Sequence, residues 1–111
     1  MELIETSTFT RQITALLSDE QYAMFQARLA AHPDLGTVIR GGGGTRKIRI
    51  AIGASGKRGG ARVIYYWAVR RDVILLLFAY PKSASADLTP KQVSQLARRV
   101  REEFRDEIGN V

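Results

Sequence analysis

The chain has 111 residues, a length that fits one domain with a single hydrophobic core. Its 45% hydrophobic and 25% charged residues are typical of a globular protein, and the absence of cysteine excludes disulfides, thiolate metal sites and cysteine catalysis. The net charge of +6 predicts an anionic partner such as nucleic acid, the ribosome or an acidic protein.

The apolar runs of the sequence are short. The longest, residues 73–80, has eight residues and fits a buried strand, whereas a bilayer requires about 20. The first residues lack the basic and then apolar build of a secretory signal. We therefore expect a cytoplasmic protein with no membrane partner.

The N-terminal part of the chain predicts an edge strand followed by two short helices. Residues 3–6 suit the strand, and Ser7 can cap a helix that runs to about Leu17. Ser18 and Gln21 have the spacing of a capping box, which begins a second helix. This helix presents apolar residues at three- and four-residue steps and stops near Pro33.

The first basic strand follows a run of four glycines at residues 41–44, which predicts a flexible break in the chain. Between residues 47 and 52, isoleucines alternate with Lys47, Arg49 and Ala51. This pattern predicts a strand with one buried face and one basic face.

Two further strands are predicted at residues 61–69 and 73–80, joined by a turn at residues 70–72. The last strand is apolar on both faces, so we expect it in the centre of the sheet. In the preceding strand, alternation places Tyr65 and Trp67 on one face and Tyr66 on the other. One set is expected in the core while the other could stack on bases, and we expect at least two of the three to be core residues.

The C-terminal part predicts one more helix. Thr89 as N-cap, Pro90 at the first position and Gln92 at the third mark its start. Its apolar stripe consists of Val93, Leu96, Val100 and Phe104. The order strand, two helices, three strands, helix indicates a single α+β domain with an antiparallel sheet.

Residues 35–71 contain no acidic residue. Such unopposed charge on predicted strands indicates a rigid surface for an anionic partner. The stretch holds nine of the seventeen basic residues: Arg40, Arg46, Lys47, Arg49, Lys57, Arg58, Arg62, Arg70 and Arg71.

Several kinds of catalysis are disfavoured. Residues 53–58 resemble part of a phosphate-binding P-loop, but they lack its glycine spacing and lead into a strand. His32 is the only histidine and lies beside Pro33 at a predicted helix end, where capping or solvation is the expected role. A two-metal nuclease requires clustered carboxylates, which the basic region lacks. We therefore expect no metal and no cofactor.

The remaining candidate catalytic side chains are those of Lys, Arg and Tyr, and they suit one reaction on RNA. The 2′-hydroxyl attacks its own adjacent phosphate if it is deprotonated and held in line, while cations stabilise the phosphate. Lysine can serve as base or acid, and arginine can hold the phosphate. Lys47 and Arg49 share a strand face, and Arg62 on the next strand could face them. Basic strand residues that only bind phosphate, or only face solvent, remain an alternative.

Three segments resemble the RelE/HigB-like toxins of bacterial type II toxin–antitoxin systems. They are Arg-Lys-Ile-Arg-Ile at 46–50, Gly-Lys-Arg-Gly-Gly-Ala-Arg-Val-Ile-Tyr-Tyr at 56–66, and Tyr-Pro-Lys at 80–82 before Asp-Leu-Thr at 87–89. The resemblance covers most of the chain, and the block at 56–66 is its most specific part. It implies a RelE-like α+β fold over residues 1–111, with a small antiparallel sheet that is mixed at one edge, two N-terminal helices and a C-terminal helix.

The resemblance also implies a function. Toxins of this family are metal-independent endoribonucleases (mRNA interferases) that cut messenger RNA on the ribosome, inhibit translation and arrest growth. The implied partners are the ribosome, mRNA and a cognate antitoxin with a helix-turn-helix DNA-binding domain.

Site residues follow from the resemblance position by position. It implies catalytic roles for Lys47, Arg49, Arg62 and Lys82, with Lys47 as the base and Arg62 holding the scissile phosphate. It implies RNA binding by Arg46, Lys57, Arg58 and Tyr80. The chain departs from many relatives after the last strand, where Lys82-Ser83-Ala84 stands in place of Lys-Asn-Glu.

Two other hypotheses fit the same sequence. The fold family includes ParE-like toxins, which act on DNA gyrase and do not require Lys47, Arg49 and Arg62 on one face. A non-catalytic RNA- or ribosome-binding module requires only the basic face, and its binding should weaken steeply with salt.

Overall fold

The chain folds into a five-stranded sheet with two helices on one face and a third helix on the other. The structure is a computed structural model that describes residues 1–51, 60–82 and 88–104. The elements are β1 (Glu2–Glu5), α1 (Ser7–Leu16), α2 (Asp19–Ala31), β2 (Thr37–Val38), β3 (Arg46–Ile50), β4 (Ala61–Ala68), a 3-10 turn (Val69–Arg71), β5 (Val73–Pro81) and α3 (Pro90–Glu103).

The strands lie in the order β1-β5-β4-β3-β2. All neighbours are antiparallel except β1 and β5, which pair in parallel at one edge. The predicted α+β fold, with a mixed edge and helices at both ends of the chain, is therefore confirmed. The strand predicted as central, β5, lies inside the sheet, and β4 occupies the middle position. Among the described residues, none of the helices has the length and apolar character needed to cross a membrane.

The helix starts follow the capping patterns of the sequence. Ser18 and Gln21 form the predicted capping box of α2, and Thr89 and Gln92 form that of α3. At α1 the N-cap is Thr6 and not the predicted Ser7, because the Thr6 hydroxyl accepts a hydrogen bond from the amide of Phe9 at 3.0 Å.

Each face of the sheet carries its own hydrophobic core. On the α1–α2 face, helix residues such as Phe9 and Leu29 pack on Val63 and Tyr65. On the α3 face, Leu96, Val100 and Phe104 from the predicted stripe of α3 join a cluster that includes Ile64 and Tyr66. As expected, Tyr65 and Tyr66 are both buried, and they belong to opposite cores.

An irregularity in β5 changes which residues reach the α3 face. Ile64 pairs with Phe78 but Tyr65 pairs with Leu76, so Leu77 is an extra residue in β5. As a result Leu77 and Phe78 both contact the α3-face core. The backbone carbonyl of the extra residue has a hydrogen-bond partner, since the Thr6 hydroxyl donates to the Leu77 carbonyl at 2.7 Å.

The glycine run is a packed turn and not the flexible break that the sequence predicted. Gly42 is buried, and its carbonyl accepts a hydrogen bond from the Thr45 hydroxyl at 2.9 Å. Gly43 adopts φ 71°, and a Cβ at this position would lie 3.0 Å from the Cα of Ala97 in α3. The run therefore allows the turn before β3 to contact α3 at backbone distance.

Candidate functional site

Three candidate side chains form a row across neighbouring strands. Arg49 on β3 lies directly opposite Arg62 on β4, and Arg62 lies opposite Tyr80 on β5. Tyr80 belongs to the α3-face core, so the row lies on the α3 face of the sheet. The predicted meeting of Arg49 and Arg62 across the strand pair is therefore present in the structure.

Two lysines extend this row. Lys47 lies two residues before Arg49 on the same face of β3, and the diagonal distance to Arg62 is about 7–8 Å between backbones, within reach of long side chains. Lys82 follows β5, and its amide donates to the Gly60 carbonyl at 3.0 Å, which places it beside the start of β4. Lys47, Arg49, Arg62 and Lys82 are called the cationic cluster below.

The electrostatics of the cluster favour a bound anion. Arg62 is only 8% exposed, and its Nη1 lies 3.4 Å from the carbonyl oxygen of Ala61, whereas Arg49 opposite it is exposed. Like charges directly opposite each other on neighbouring strands are unfavourable. A phosphate between the two guanidinium groups would remove this repulsion and accept hydrogen bonds from both.

Part of the α3 face carries exposed cationic side chains among the described residues. Helix α3 packs over Ile64, Tyr66 and Leu75, while Arg49 and Lys82 are exposed at the C-terminal ends of β3 and β5, which lie at the same end of the sheet. Since residues 35–71 contain no acidic residue, β3 and β4 contribute only positive and neutral side chains to this surface. The open end can therefore accept a polyanion.

Arg46 does not join the cationic cluster, although the sequence grouped it with the RNA-binding residues. Its side chain lies on the α1–α2 face, opposite Tyr65, and its Nη1 donates to the carbonyls of Asp34 and Gly36 at 3.2 and 2.8 Å. Alternation explains this placement, because Arg46 has the same parity as the buried Ile48.

Tyr65 completes this backbone clamp. Its hydroxyl donates to the carbonyl of Pro33 and accepts from the amide of Gly36, both at 2.8 Å. Burial raises the pKa of Tyr65, and the Gly36 hydrogen bond and the nearby Arg46 guanidinium oppose the shift. Together Arg46 and Tyr65 fasten the loop after α2 to the sheet.

Two candidate residues, Lys57 and Arg58, lie outside the residues that the structure describes. Within the described ranges, no three His, Asp or Glu side chains form a group that could hold a metal ion.

One pocket on the α3 face was not foreseen from the sequence. It has a volume of about 240 Å³ and lies between α1, β5 and α3, with Phe78, Gln92, Gln95 and Arg99 among its lining residues. Phe78 lies close to Tyr80, which is opposite Arg62, because the rings of Phe78 and Tyr80 are 6.0 Å apart. The sequence offered only a weak signal for it, since Phe78 stands in a strand that is apolar throughout.

The chain is thus a small α+β domain with cationic side chains aligned on one face of its sheet. The family model of the RelE toxin of the RelE / RelB toxin-antitoxin system matches residues 2–106. The chain belongs to this toxin family, which confirms the resemblance seen in the sequence. Membership implies an antitoxin as partner, and RelE-family toxins are in general endoribonucleases.

Proposed function

We propose that this toxin is a metal-independent endoribonuclease that cuts messenger RNA on the ribosome and so inhibits translation. The observation that carries the proposal is the Arg49–Arg62 pair, with one guanidinium exposed and the other buried on an acid-free sheet face. Arginine has a fixed fork of donors that suits the phosphate geometry. The family assignment supports the same class of substrate.

The proposed reaction is an attack of the RNA on itself. The 2′-oxygen forms a bond to the adjacent phosphorus, and the bond from phosphorus to the 5′-oxygen breaks. Lys47 accepts the proton of the 2′-hydroxyl, and Lys82 donates a proton to the departing 5′-oxygen. The products are a 2′,3′-cyclic phosphate and a 5′-hydroxyl. Neither proton transfer requires a histidine, a carboxylate or a metal.

The arginines stabilise the charge that develops on the phosphate. Arg62 is held in a defined position by its burial in the sheet, so its donors do not need to reorganise during the reaction. Arg49 approaches the same phosphate from the neighbouring strand. Tyr80, in the same row, positions the nucleotide, and Lys57 and Arg58 are proposed from the family resemblance to bind the RNA backbone.

The test is expression of the toxin without antitoxin, followed by primer extension on cellular mRNA. The wild-type chain should arrest growth and produce discrete cuts within translated codons. Arg62→Ala should reduce cleavage by about 10²–10³-fold, the usual cost of removing a preorganised donor to a developing oxyanion. Arg11→Ala is the matched control, since it removes the same charge from an exposed position on α1.

Equal cleavage by the Arg62→Ala and Arg11→Ala proteins would contradict the assigned mechanism. Growth arrest with intact mRNA and damaged DNA would instead indicate action on gyrase. Growth arrest with intact mRNA and intact DNA would indicate a module that binds the ribosome without catalysis. Thermal unfolding of both purified variants shows whether each retains the fold.

A further inference from the structure

The pocket beside the cationic cluster has the features of a site for part of the RNA. Its floor is apolar, formed by Leu77, Phe78 and Leu96, and its polar lining includes Gln92, Gln95 and Arg99. We propose that this pocket binds one nucleobase of the strand whose phosphate lies on Arg49 and Arg62, and so determines base preference beside the cut. This inference rests on the proposed function.

The position of the pocket supports this assignment. Phe78 lines the pocket from β5, and Arg62 lies on the neighbouring strand β4. Neighbouring strands are about 5 Å apart. Arg62 pairs with Tyr80 and Ile64 with Phe78, so Phe78 is the diagonal neighbour of Arg62, at about 7–8 Å between backbones. In the proposed complex, a nucleotide next to the phosphate on Arg62 places its base against the Phe78 ring.

The size of the pocket fits a single base. Pockets for drug-sized ligands measure about 300–1,000 Å³. At about 240 Å³, this pocket suits one planar ring system and not a whole dinucleotide. Single-stranded RNA is commonly recognised by this combination of an aromatic side chain for stacking and polar groups for the base edges. Phe78, half-buried, can supply the ring.

The chemistry of the lining also fits a base next to a phosphate. A glutamine amide carries two donors and one acceptor, which matches the mixed edges of nucleobases. Gln95 is exposed on α3, and Gln92 is fixed through its Oε1, which accepts from the Thr89 amide at 2.9 Å. The described residues that line the pocket include no Asp or Glu.

Arg99 gives the pocket a positive rim. Its Nε lies 3.7 Å from the Glu103 carboxylate, and its side chain is 53% exposed, so the contact leaves the guanidinium accessible. Its neighbour Arg98 is equally a surface arginine of α3 but does not line the pocket. The two arginines therefore form a matched pair for testing.

The experiment measures cleavage of a pool of mRNAs that differ in the bases flanking the cut, on ribosomes, with the purified full-length chain. Gln95→Leu should reduce discrimination among bases at one flanking position about tenfold, because one set of base-edge hydrogen bonds is lost. Ser94→Leu, which changes an exposed α3 residue outside the pocket, should keep the wild-type profile.

A second measurement uses a short RNA that carries a 2′-deoxy nucleotide at the cut and is therefore not cleaved. Arg99→Ala should weaken its binding several-fold more than Arg98→Ala. The inference is overturned if the wild type cuts mRNA while Gln95→Leu and Arg99→Ala behave like their controls. It is also overturned if these variants lose only antitoxin affinity. If the wild type cuts no RNA, both the proposed function and this inference are wrong.

Discussion

The two faces of the sheet use the same kinds of residue for opposite purposes. On the α1–α2 face, Arg46 donates to two backbone carbonyls and Tyr65 bridges Pro33 and Gly36, so their polar groups are used within the fold. On the α3 face, Arg49 and Arg62 lie opposite each other at the open end of the sheet. The first face is closed by two helices, and the second only in part by α3.

This difference teaches how a basic strand separates structure from function. Arg46 and Lys47 are adjacent in sequence, yet alternation directs one to the clamp and the other to the cationic cluster. Substitutions on the closed face should therefore lower stability and spare activity. Substitution of the exposed Arg49 should do the reverse, because a positive charge opposite Arg62 is unfavourable for folding.

The largest effect on stability is expected from Phe9, which is 0% exposed in the closed core. Phe9→Ala should lower the free energy of unfolding by about 3–5 kcal/mol. Met24→Ala, at a position 70% exposed on α2, should change it by less than about 0.5 kcal/mol. Urea unfolding measures both. Cleavage per folded molecule should stay at the wild-type level. Loss of cleavage in a folded Phe9→Ala protein would contradict the prediction that substitutions on the closed face spare activity.

The sharpest comparison uses two arginines of one strand. Arg46→Ala should lower the free energy of unfolding by about 1–3 kcal/mol, because the carbonyls of Asp34 and Gly36 lose their donor. Arg49→Ala should leave stability unchanged or raise it.

RNA binding should respond in the opposite way. Arg49→Ala should reduce the salt dependence of binding to an uncleavable RNA by about 0.7 in the slope of log K against log salt, the value for one lost phosphate contact. Arg46→Ala should keep the wild-type slope. Equal slopes for the two variants would mean that both arginines contact RNA, contrary to the geometry.

The smallest effect concerns the closed face at alkaline pH. The Tyr22 hydroxyl donates to the Glu5 carboxylate at 2.6 Å, and burial followed by this carboxylate raises the pKa of Tyr22 well above its ordinary value of 10.0. The unfolded chain therefore loses this proton first. The stability from this group is present below about pH 10 and declines as the pH rises further.

Tyr22→Phe should thus make the fall in unfolding free energy above pH 10 shallower, which denaturant titrations between pH 8 and pH 11 can measure. An unchanged slope would show that Tyr22 does not dominate the alkaline loss of stability; among the described residues, the pKa of Tyr65 is also raised.

Local rules made part of this structure predictable. The capping boxes at Ser18 and Thr89 depend only on residues three positions apart, and both are formed. The alternation of side chains along a strand correctly predicted that Lys47 and Arg49 lie on the same face of β3. The same alternation should have separated Arg46 from them, so the sequence held the signal for the clamp.

Other features depend on residues far apart in the chain, and no local pattern encodes them. The glycine turn is packed because Gly43 meets Ala97 in α3, and its sequence alone resembles a linker. The extra residue Leu77 in β5 and the pocket beside Phe78 arise only when β1, α1 and α3 surround that strand. The catalytic and RNA-binding roles of the cluster stay predictions.

The parallel pairing of β1 with β5 joins two segments that are far apart in the chain. Thr6 contacts Leu77 across 71 residues of chain, so β1 has no strand partner until β5 has been synthesised. Contacts of such long separation slow folding because the chain must close a large loop first. Arg49 and Arg62 pair directly between β3 and β4, whereas Lys82 reaches them only once β5 has joined the sheet. A chain in which β5 has not yet joined the sheet therefore holds only part of the cationic cluster.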